Sequence, residues 1–302
     1  METIHKHTGW VRVIALIVPY FVITAFFQVM GYLAIGADFS GPKPTLTTIE
    51  HTWLAGCTFL GTFLVLWLFM TLVDKEKMVS MGFQVKERGR EFWFGNLIGL
   101  AIMGVAFFLL MAIGEIEFQK FNFDMVEMLL TILLFVLVAV MEEVLFRGYI
   151  LKNLMISFNK YVALIISSIL FSVAHAANPH FDWMSFLDLF MAGLFLGISY
   201  IHTKNLWFPI ALHLSWNLFQ SLFGFNVSGQ DAYSLIEINI PEGNWINGGD
   251  FGFEGSVFSI LIQIFFVIAL VFYYERKTGS ERDQSQGKNP DVIAVESGIF
   301  EN

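Results

Sequence analysis

The most informative feature of this 302-residue sequence is how little charge it carries: 14% of its residues are charged, while 56% are hydrophobic. A soluble domain typically carries about 25% charged residues. The charges are also clustered, which leaves uncharged runs at 13–37, 93–114 and 255–274. Because about 20 apolar residues in a helix cross the hydrocarbon of a bilayer, runs of this length predict membrane-spanning helices. A soluble protein would lack the polar surface to cover them.

The sequence contains one cysteine and no basic patch. Cys57 lies within an apolar run, so it cannot form an intramolecular disulfide and is interpreted as a small packed residue. The net charge of −9, without a cluster of Lys and Arg, excludes nucleic acid as a partner. The chain also has no internal repeat, which is the feature that would support a transporter.

The apolar runs predict an all-α integral membrane protein with about eight transmembrane helices. Their approximate limits are 12–36, 52–73, 92–114, 124–157, 161–178, 183–201, 206–224 and 256–275. With the N-terminus inside, the inside segments contain 14 of the 17 Lys and Arg residues, and the outside loops contain only Lys43 and Lys120. The positive-inside rule therefore predicts that both termini are cytoplasmic.

The chain is predicted to be a single polytopic membrane domain over residues 1–302, with a disordered cytoplasmic tail at 278–302. The longest loop, 225–254, contains no Lys or Arg and is assigned to the outside. Its segment 234–240 alternates polar and apolar residues, which is typical of a short strand. The loop is interpreted as solvated, with a lid as the alternative.

Ionisable residues within the spans are the candidate functional residues, because a charge at mid-bilayer costs about 2.5–3.5 kcal/mol on insertion scales. On the fourth span, Glu143 and Arg147 are four residues apart, so they share a helix face and are expected to form an ion pair. Glu142 points about 100° away around the helix and has no local partner. It is therefore the carboxylate that remains for general acid–base chemistry.

His175, on the fifth span, is predicted to lie at the depth of Glu142. A tight turn near Asn159 makes the fourth and fifth spans an antiparallel hairpin. Glu142 is 17 residues before Asn159 and His175 is 16 after it, so at 1.5 Å per residue both lie roughly 25 Å from the turn. The two side chains could therefore meet. A lone histidine in an apolar helix is otherwise more often a hydrogen-bonded packing residue.

The sixth and seventh spans contribute further polar residues. His213 and Asn217 are four apart on the seventh span, so they share a face, and both can donate hydrogen bonds to a developing oxyanion. Hydrogen bonding between helices is the alternative role, since it is common for Asn and His in membranes. On the sixth span, Asp188 fits a cavity-lining or hydrogen-bonding role, and Gly193 with Gly197 permits close helix packing.

In chain order, these residues form Glu-Glu-x-x-x-Arg at 142–147, Phe-x-x-x-His at 171–175 and His-x-x-x-Asn at 213–217. The ordered set resembles the CPBP (Abi) family, which includes the type II CAAX prenyl endopeptidases. The resemblance covers about residues 124–224, and all seven motif positions are present. It implies a CPBP-like catalytic core in an intramembrane endopeptidase that cleaves a membrane-associated peptide or protein.

The resemblance also implies roles for the motif residues. Glu142 with His175 would activate a water molecule. His213 with Asn217 would stabilise the oxyanion, and Glu143 with Arg147 would form an ion pair that supports the site. Participation of a metal is left open, because Glu142, His175 and His213 also make the two-His, one-Glu set that zinc accepts. The His-Glu-x-x-His motif is absent, and we favour the metal-free arrangement, which requires no cofactor.

Two other classes of function remain as alternatives. A non-catalytic membrane regulator or partner protein would use the polar clusters only to tie helices together. A transporter would use Glu142 and Asp188 for proton coupling. In the favoured reading, the partners are the lipid bilayer and a membrane-associated substrate, and we expect an integral protein of a bacterial plasma membrane.

Overall fold

The computed structural model describes residues 8–36 and 46–287. Over this part of the chain the fold is almost entirely helical, which confirms the predicted all-α membrane class. The eight helices are α1 (Gly9–Ala34), α2 (Thr48–Asp74), α3 (Gly89–Ala112), α4 (Met125–Ser157), α5 (Lys160–Ala174), α6 (Trp183–Thr203), α7 (Trp207–Leu222) and α8 (Val257–Gly287). A sheet of two strands, β1 (Glu117–Phe121) and β2 (Ile236–Asn239), joins two of the loops.

Six of the eight helices in the described ranges are long and apolar enough to cross a membrane. The other two, α5 and α7, have 15 and 16 residues. At 1.5 Å per residue they are about 23–24 Å long, which is less than the hydrocarbon thickness of about 30 Å. Both end earlier than the predicted spans 161–178 and 206–224. Most of α7 is buried, so neighbouring helices rather than lipid surround it.

Helices α4 and α5 form the antiparallel hairpin that the turn signal predicts. Helix α4 ends at Ser157, and Asn159 is the N-cap of α5. The Asn159 side chain accepts hydrogen bonds from the backbone N–H groups of Tyr161 and Val162. This cap satisfies two of the free donors at the start of the helix and fixes the turn.

The loop 225–254 is packed against the bundle, so its interpretation as a solvated loop is wrong. Its segment 234–240 contains the predicted strand, β2, which pairs antiparallel with β1. The sequence did not predict β1, because all five of its residues are exposed and lack the alternation that a buried face produces. Phe251, Phe253 and Asn247 of the loop are buried, and this burial holds the loop in place.

Helix α8 extends beyond the predicted end of the last span. It continues to Gly287, so residues 278–287 are helical where a tail was predicted. The remainder of the predicted disordered tail, 288–302, lies outside the described residues.

Two glycines allow α6 to approach α5 closely, as their spacing predicts. A Cβ added at Gly193 would lie 2.7 Å from the Cα of Ser168. A Cβ added at Gly197 would meet the side chain of Leu164. The contact at Gly193 is against backbone, which cannot yield by rotating a side chain, so Gly193 is the more demanding of the two positions.

Gly193→Ala is expected to lower the free energy of unfolding by about 1–3 kcal/mol, because the added methyl group overpacks the α5–α6 contact. Gly104→Ala on α3 is the matched control, since a Cβ there meets nothing within 4 Å. At that site the better helix propensity of alanine should raise the free energy of unfolding by about 1 kcal/mol. Thermal unfolding in detergent measures both variants. Equal melting temperatures would contradict the assigned role of Gly193.

Candidate active site

Helix α4 changes its hydrogen bonding just after two neighbouring carboxylates. Residues Met125–Glu143 are α-helical, whereas Val144–Leu151 form a π-helical segment. Such segments are rare and often occur at functional sites. At this point of the helix, the side chain of Glu142 is 18% exposed and lines a cavity, while that of Glu143 is fully buried.

His175 lies opposite Glu142 across the α4–α5 hairpin. The distance from His175 Nε2 to Glu142 Oε2 is 3.6 Å, so the two side chains meet as the hairpin lengths predict. His175 directly follows the last residue of α5, and its Nδ1 lies 2.8 Å from the carbonyl oxygen of Phe171. A carbonyl oxygen only accepts, so Nδ1 carries the hydrogen. In the neutral ring, Nε2 therefore presents a lone pair towards Glu142.

The gap between His175 and Glu142 suits a water molecule. At 3.6 Å it is longer than a hydrogen bond. Both facing atoms are acceptors when the ring is neutral and the carboxylate is ionised, so they cannot bond to each other. A water molecule has two hydrogens and can donate one to each. In agreement, Glu142 Oε2 is buried and has no hydrogen-bond partner among the described residues.

Glu143 holds Arg147 and His213 at the same time. Its Oε1 accepts a hydrogen bond of 2.8 Å from Arg147 Nη1, which is the predicted ion pair. The same oxygen lies 2.8 Å from Nδ1 of His213, a contact that residue spacing does not predict. Arg147 is further held by the carbonyl oxygen of Gly193, at 3.1 Å, and by the ring of Phe171, whose centroid is 4.6 Å from the guanidinium carbon.

His213 and Asn217 lie one turn apart on the buried face of α7, with 6% and 5% exposure. Because Nδ1 of His213 bonds to Glu143, the other ring nitrogen is turned towards Glu142, and the Nε2–Oε2 distance is 4.0 Å. Both residues line the same cavity as Glu142 and His175. The structure thus brings together the four side chains to which the motifs assign chemistry.

The cavity beside these residues has a volume of about 1520 Å³. Ordinary ligand pockets have about 300–1,000 Å³, so this one has room for several residues of a peptide. Helices α1, α2 and α4 to α7 supply a mainly apolar lining, to which α8 adds Gln263. Its polar loop residues come after α5 and α7, and include Asn178, Ser228, Gln230, Asp231 and Glu254.

Glu254 is a site residue that the sequence did not reveal. It is 5% exposed, lies in the loop before α8 and lines the cavity with the motif residues. In the sequence it stands immediately before the last apolar run, where a carboxylate is the ordinary end of a span. Only the three-dimensional path of the loop 225–254 brings it to the cavity.

Asp188 has the hydrogen-bonding role that was predicted for it. Its fully buried carboxylate accepts a hydrogen bond of 2.8 Å from Nε2 of Gln263, which also donates to Oγ of Ser259. This contact ties α6 to α8. Gln263 lines the cavity and Asp188 does not, so Asp188 supports the wall rather than forming it.

The three residues of the alternative zinc set, Glu142, His175 and His213, line the same cavity. Among the described residues, no group of three or more His, Cys, Asp or Glu side chains is arranged to hold a metal ion. In the alternative zinc set, the Glu142–His213 distance is 4.0 Å, and Glu143 is bonded to the other ring nitrogen of His213. The metal-free arrangement stays a prediction with zinc as its alternative, and no chemical step below depends on a metal.

Comparisons with known proteins address the resemblance. A family model described as type II CAAX prenyl endopeptidase Rce1-like matches residues 124–219. Over 200 residues, the chain is 27% identical to "Putative membrane peptidase YdiL" of Bacillus subtilis (strain 168), covering 60% of this chain and 76% of that protein. Over 103 residues, it is 31% identical to "Uncharacterized 24.3 kDa protein" of Escherichia coli, covering 33% of this chain and 46% of that protein. The resemblance inferred from the motifs is thereby confirmed, and the segment that carries the candidate site matches the Rce1-like family of type II CAAX prenyl endopeptidases.

Proposed function

We propose that this protein is an intramembrane endopeptidase that hydrolyses a peptide bond of a membrane-associated peptide or protein. The observation that carries the proposal is the pair of facing acceptors, Glu142 Oε2 and His175 Nε2, which are 3.6 Å apart on the wall of a large cavity. The match to an endopeptidase family and to a protein named as a membrane peptidase supports the same class of reaction.

In the proposed reaction, Glu142 and His175 activate a water molecule held between them. As the water oxygen attacks the carbonyl carbon of the substrate, its proton passes to Glu142 or His175. The same group then gives the proton to the leaving amine as the C–N bond breaks. Water and peptide are consumed, and a carboxylic acid and an amine are formed, so no other reactant is needed.

His213 and Asn217 are proposed to stabilise the oxyanion of the tetrahedral intermediate. The Asn217 amide is a donor in any protonation state, and His213 donates from Nε2 when its ring is doubly protonated. Glu143 and Glu142 lie next to this ring and stabilise its positive charge. Donors held in place before the charge develops need no rearrangement during the reaction, which is what makes an oxyanion hole effective.

The contacts distinguish the motif residues from side chains that only tie helices together. Glu143 and Asp188 each accept hydrogen bonds through one carboxylate oxygen from a side chain in the interior, as a regulator or partner protein would require. Glu142 does not follow this pattern, because its Oε2 faces His175 on the wall of the cavity and has no hydrogen-bond partner in the described ranges. A buried carboxylate kept free beside a cavity is costly for a purely structural role but useful for proton transfer.

The 14-to-2 distribution of Lys and Arg supports cytoplasmic termini in a bacterial plasma membrane. In that orientation, the loop 225–254 faces the outside. Because Glu254 and Ser228 of this loop line the cavity, the site would lie towards the outer leaflet. Cysteine labelling of Trp245→Cys in a Cys57→Ser background tests this arrangement. Trp245 is 61% exposed, so a thiol reagent added from outside should label a cysteine at this position.

Comparative proteomics of cells that contain either the wild-type protein or Glu142→Ala tests the proposed function. We expect at least one membrane-associated protein to be trimmed only in the wild-type cells, while both forms of the enzyme accumulate equally. If Glu142→Ala retains its biological activity, the protease assignment fails and the regulator alternative is favoured, in which activity follows folding alone.

The zinc alternative is tested on the same purified protein. Metal content is measured by mass spectrometry, and cleavage is followed during chelation and readdition of zinc. In the metal-free reading, cleavage is unchanged by chelation. Stoichiometric zinc together with a reversible loss of cleavage would instead assign Glu142, His175 and His213 as its ligands.

A further inference from the structure

Glu254 is a buried carboxylate that the proposed reaction does not use. It precedes α8 and is 5% exposed. Burial raises its pKa, while the hydrogen bonds from Ser228 and the nearby His175 and His213 rings act in the opposite direction. The hydrogen bonds from Ser228 thus take the place of the water molecules that would donate to an exposed carboxylate.

The carboxylate of Glu254 holds a tight turn. Its Oε2 accepts hydrogen bonds from the backbone N–H and the Oγ of Ser228, at 2.7 and 2.6 Å. Ser228 has a φ of 49°, a left-handed conformation that is unfavourable for residues other than Gly, Asn and Asp. The flanking residues Val227 and Gln230 pair through their backbones. The two bonds to Glu254 help to hold Ser228 in this conformation.

The turn at Ser228 is bonded to the segment that follows α5 and holds that segment in place. The Ser228 carbonyl oxygen accepts a hydrogen bond of 3.0 Å from the side-chain amide of Asn178. The backbone N–H of Asn178 in turn donates to the carbonyl oxygen of His175, at 2.9 Å. The neighbouring Gly229 is close enough to Pro179 that a side chain would collide with the Pro179 carbonyl oxygen. A continuous path therefore joins Glu254 to His175.

His175 needs such support because of its place in the chain. It follows the last helical residue, Ala174, so the regular hydrogen bonds of α5 do not continue beyond it. Its ring must nevertheless stay opposite Glu142 for the two to share a water molecule. Misplacement of a catalytic group by 1 Å can lower a rate by about a hundredfold.

We propose that Glu254 is a positioning residue, which holds His175 opposite Glu142 through the hydrogen bonds of Ser228 and Asn178. The inference rests on the proposed endopeptidase function. It also gives the loop 225–254 a defined role, since the loop delivers Ser228 and Glu254 to the end of α5.

The test compares Glu254→Ala with the conservative Glu254→Gln in proteoliposomes. The substrate is chosen from a proteome-derived peptide library. It is the peptide that the wild-type protein cleaves fastest, provided that Glu142→Ala leaves this peptide intact. We expect Glu254→Ala to lower kcat at least about tenfold with KM changed less than about twofold, because Glu254 acts on the geometry of His175 rather than on substrate binding. Glu254→Gln retains an oxygen that can accept from Ser228, so it should restore most of kcat.

Two further variants complete the test. Asn178→Ala interrupts the same path, so its effect on kcat should match that of Glu254→Ala, and the double variant should be no worse than either. Glu242→Ala is the matched control, because the same change is made at an exposed position of the same loop. Hydrogen exchange at residues 175–180 should rise in Glu254→Ala and not in Glu242→Ala.

The possible failures of this experiment are distinguishable. If no peptide is cleaved in a Glu142-dependent manner, the proposed function fails and the positioning role fails with it. If Glu254→Ala cleaves with the wild-type kcat, or if its hydrogen exchange at 175–180 is unchanged, only the positioning role is overturned. If Glu254→Gln is as slow as Glu254→Ala although its exchange is normal, the charge rather than the hydrogen bonds matters, and the role proposed here is wrong.

Discussion

Glu142→Gln is expected to lower the kcat for peptide cleavage by about 10²–10⁴-fold, while the variant accumulates and unfolds like the wild-type protein. Glutamine has nearly the same shape as glutamate but cannot take up a proton from water, so the loss corresponds to the usual contribution of general acid–base catalysis. Folding should be preserved, because Glu142 Oε2 has no hydrogen-bond partner to lose within the described residues. Cleavage by purified protein in proteoliposomes measures the effect.

The matched control for this variant is Glu127→Gln, a change of the same chemistry on the same helix. Glu127 lies in the first turn of α4, about 15 residues and roughly 22 Å from Glu142 along the helix. It should leave cleavage unchanged. His175→Ala should be as slow as Glu142→Gln, and the double variant no slower, because two residues that activate one water act as a unit. Additive losses would contradict a shared water.

The depth of the site could be predicted from the sequence, and for a simple physical reason. Residues in a helix rise by a constant 1.5 Å, so two residues equally far from a hairpin turn lie at the same level. Glu142 and His175 satisfy this condition, and the structure places them 3.6 Å apart. The ion pair of Glu143 and Arg147 was predictable for a related reason, since residues four apart share a helix face.

The sequence could not predict contacts that depend on how helices rotate and on how loops return to the bundle. The bond from His213 to Glu143 joins residues that are 70 positions apart on α7 and α4, and no local spacing indicates it. Glu254 reaches the cavity only because the loop 225–254 folds back over the helices. The interpretation of that loop as solvated was wrong for the same reason, because its apolar residues are too scattered to give a periodic signal.

The short helices α5 and α7 show a second limit of prediction from the sequence. Apolar length predicts a full span for each, yet both are too short to cross the hydrocarbon by length and composition. Helix α7 carries His213 and Asn217, and His175 directly follows the last residue of α5. Helix α7 is mostly buried and packs mainly against α3 and α4, so it does not have to match the bilayer thickness. Helix α5 packs against α6 and keeps an exposed apolar face that includes Ile165 and Ile169. A hydropathy count cannot distinguish an enclosed apolar helix from a lipid-facing one.

Arg147→Met is expected to lower the free energy of unfolding by about 3–5 kcal/mol. The guanidinium and the carboxylate of Glu143 are 1% and 0% exposed, so removal of Arg147 leaves the buried carboxylate with the His213 ring alone as its partner among the described residues. The variant also loses the hydrogen bond to the Gly193 carbonyl oxygen and the contact with the Phe171 ring. Thermal unfolding in detergent measures the change, and Arg90→Met, at an exposed position, is the control.

A double variant separates the structural role of this pair from its role in the site. Glu143→Met with Arg147→Met removes both charges of the ion pair, so it should be more stable than Arg147→Met alone, in which the buried Glu143 carboxylate has lost Arg147. Cleavage should nevertheless be lost in the double variant, since His213 no longer has the carboxylate that holds its Nδ1. If the double variant recovers both stability and cleavage, Glu143 contributes only to folding, and the ring of His213 is positioned by its packing alone.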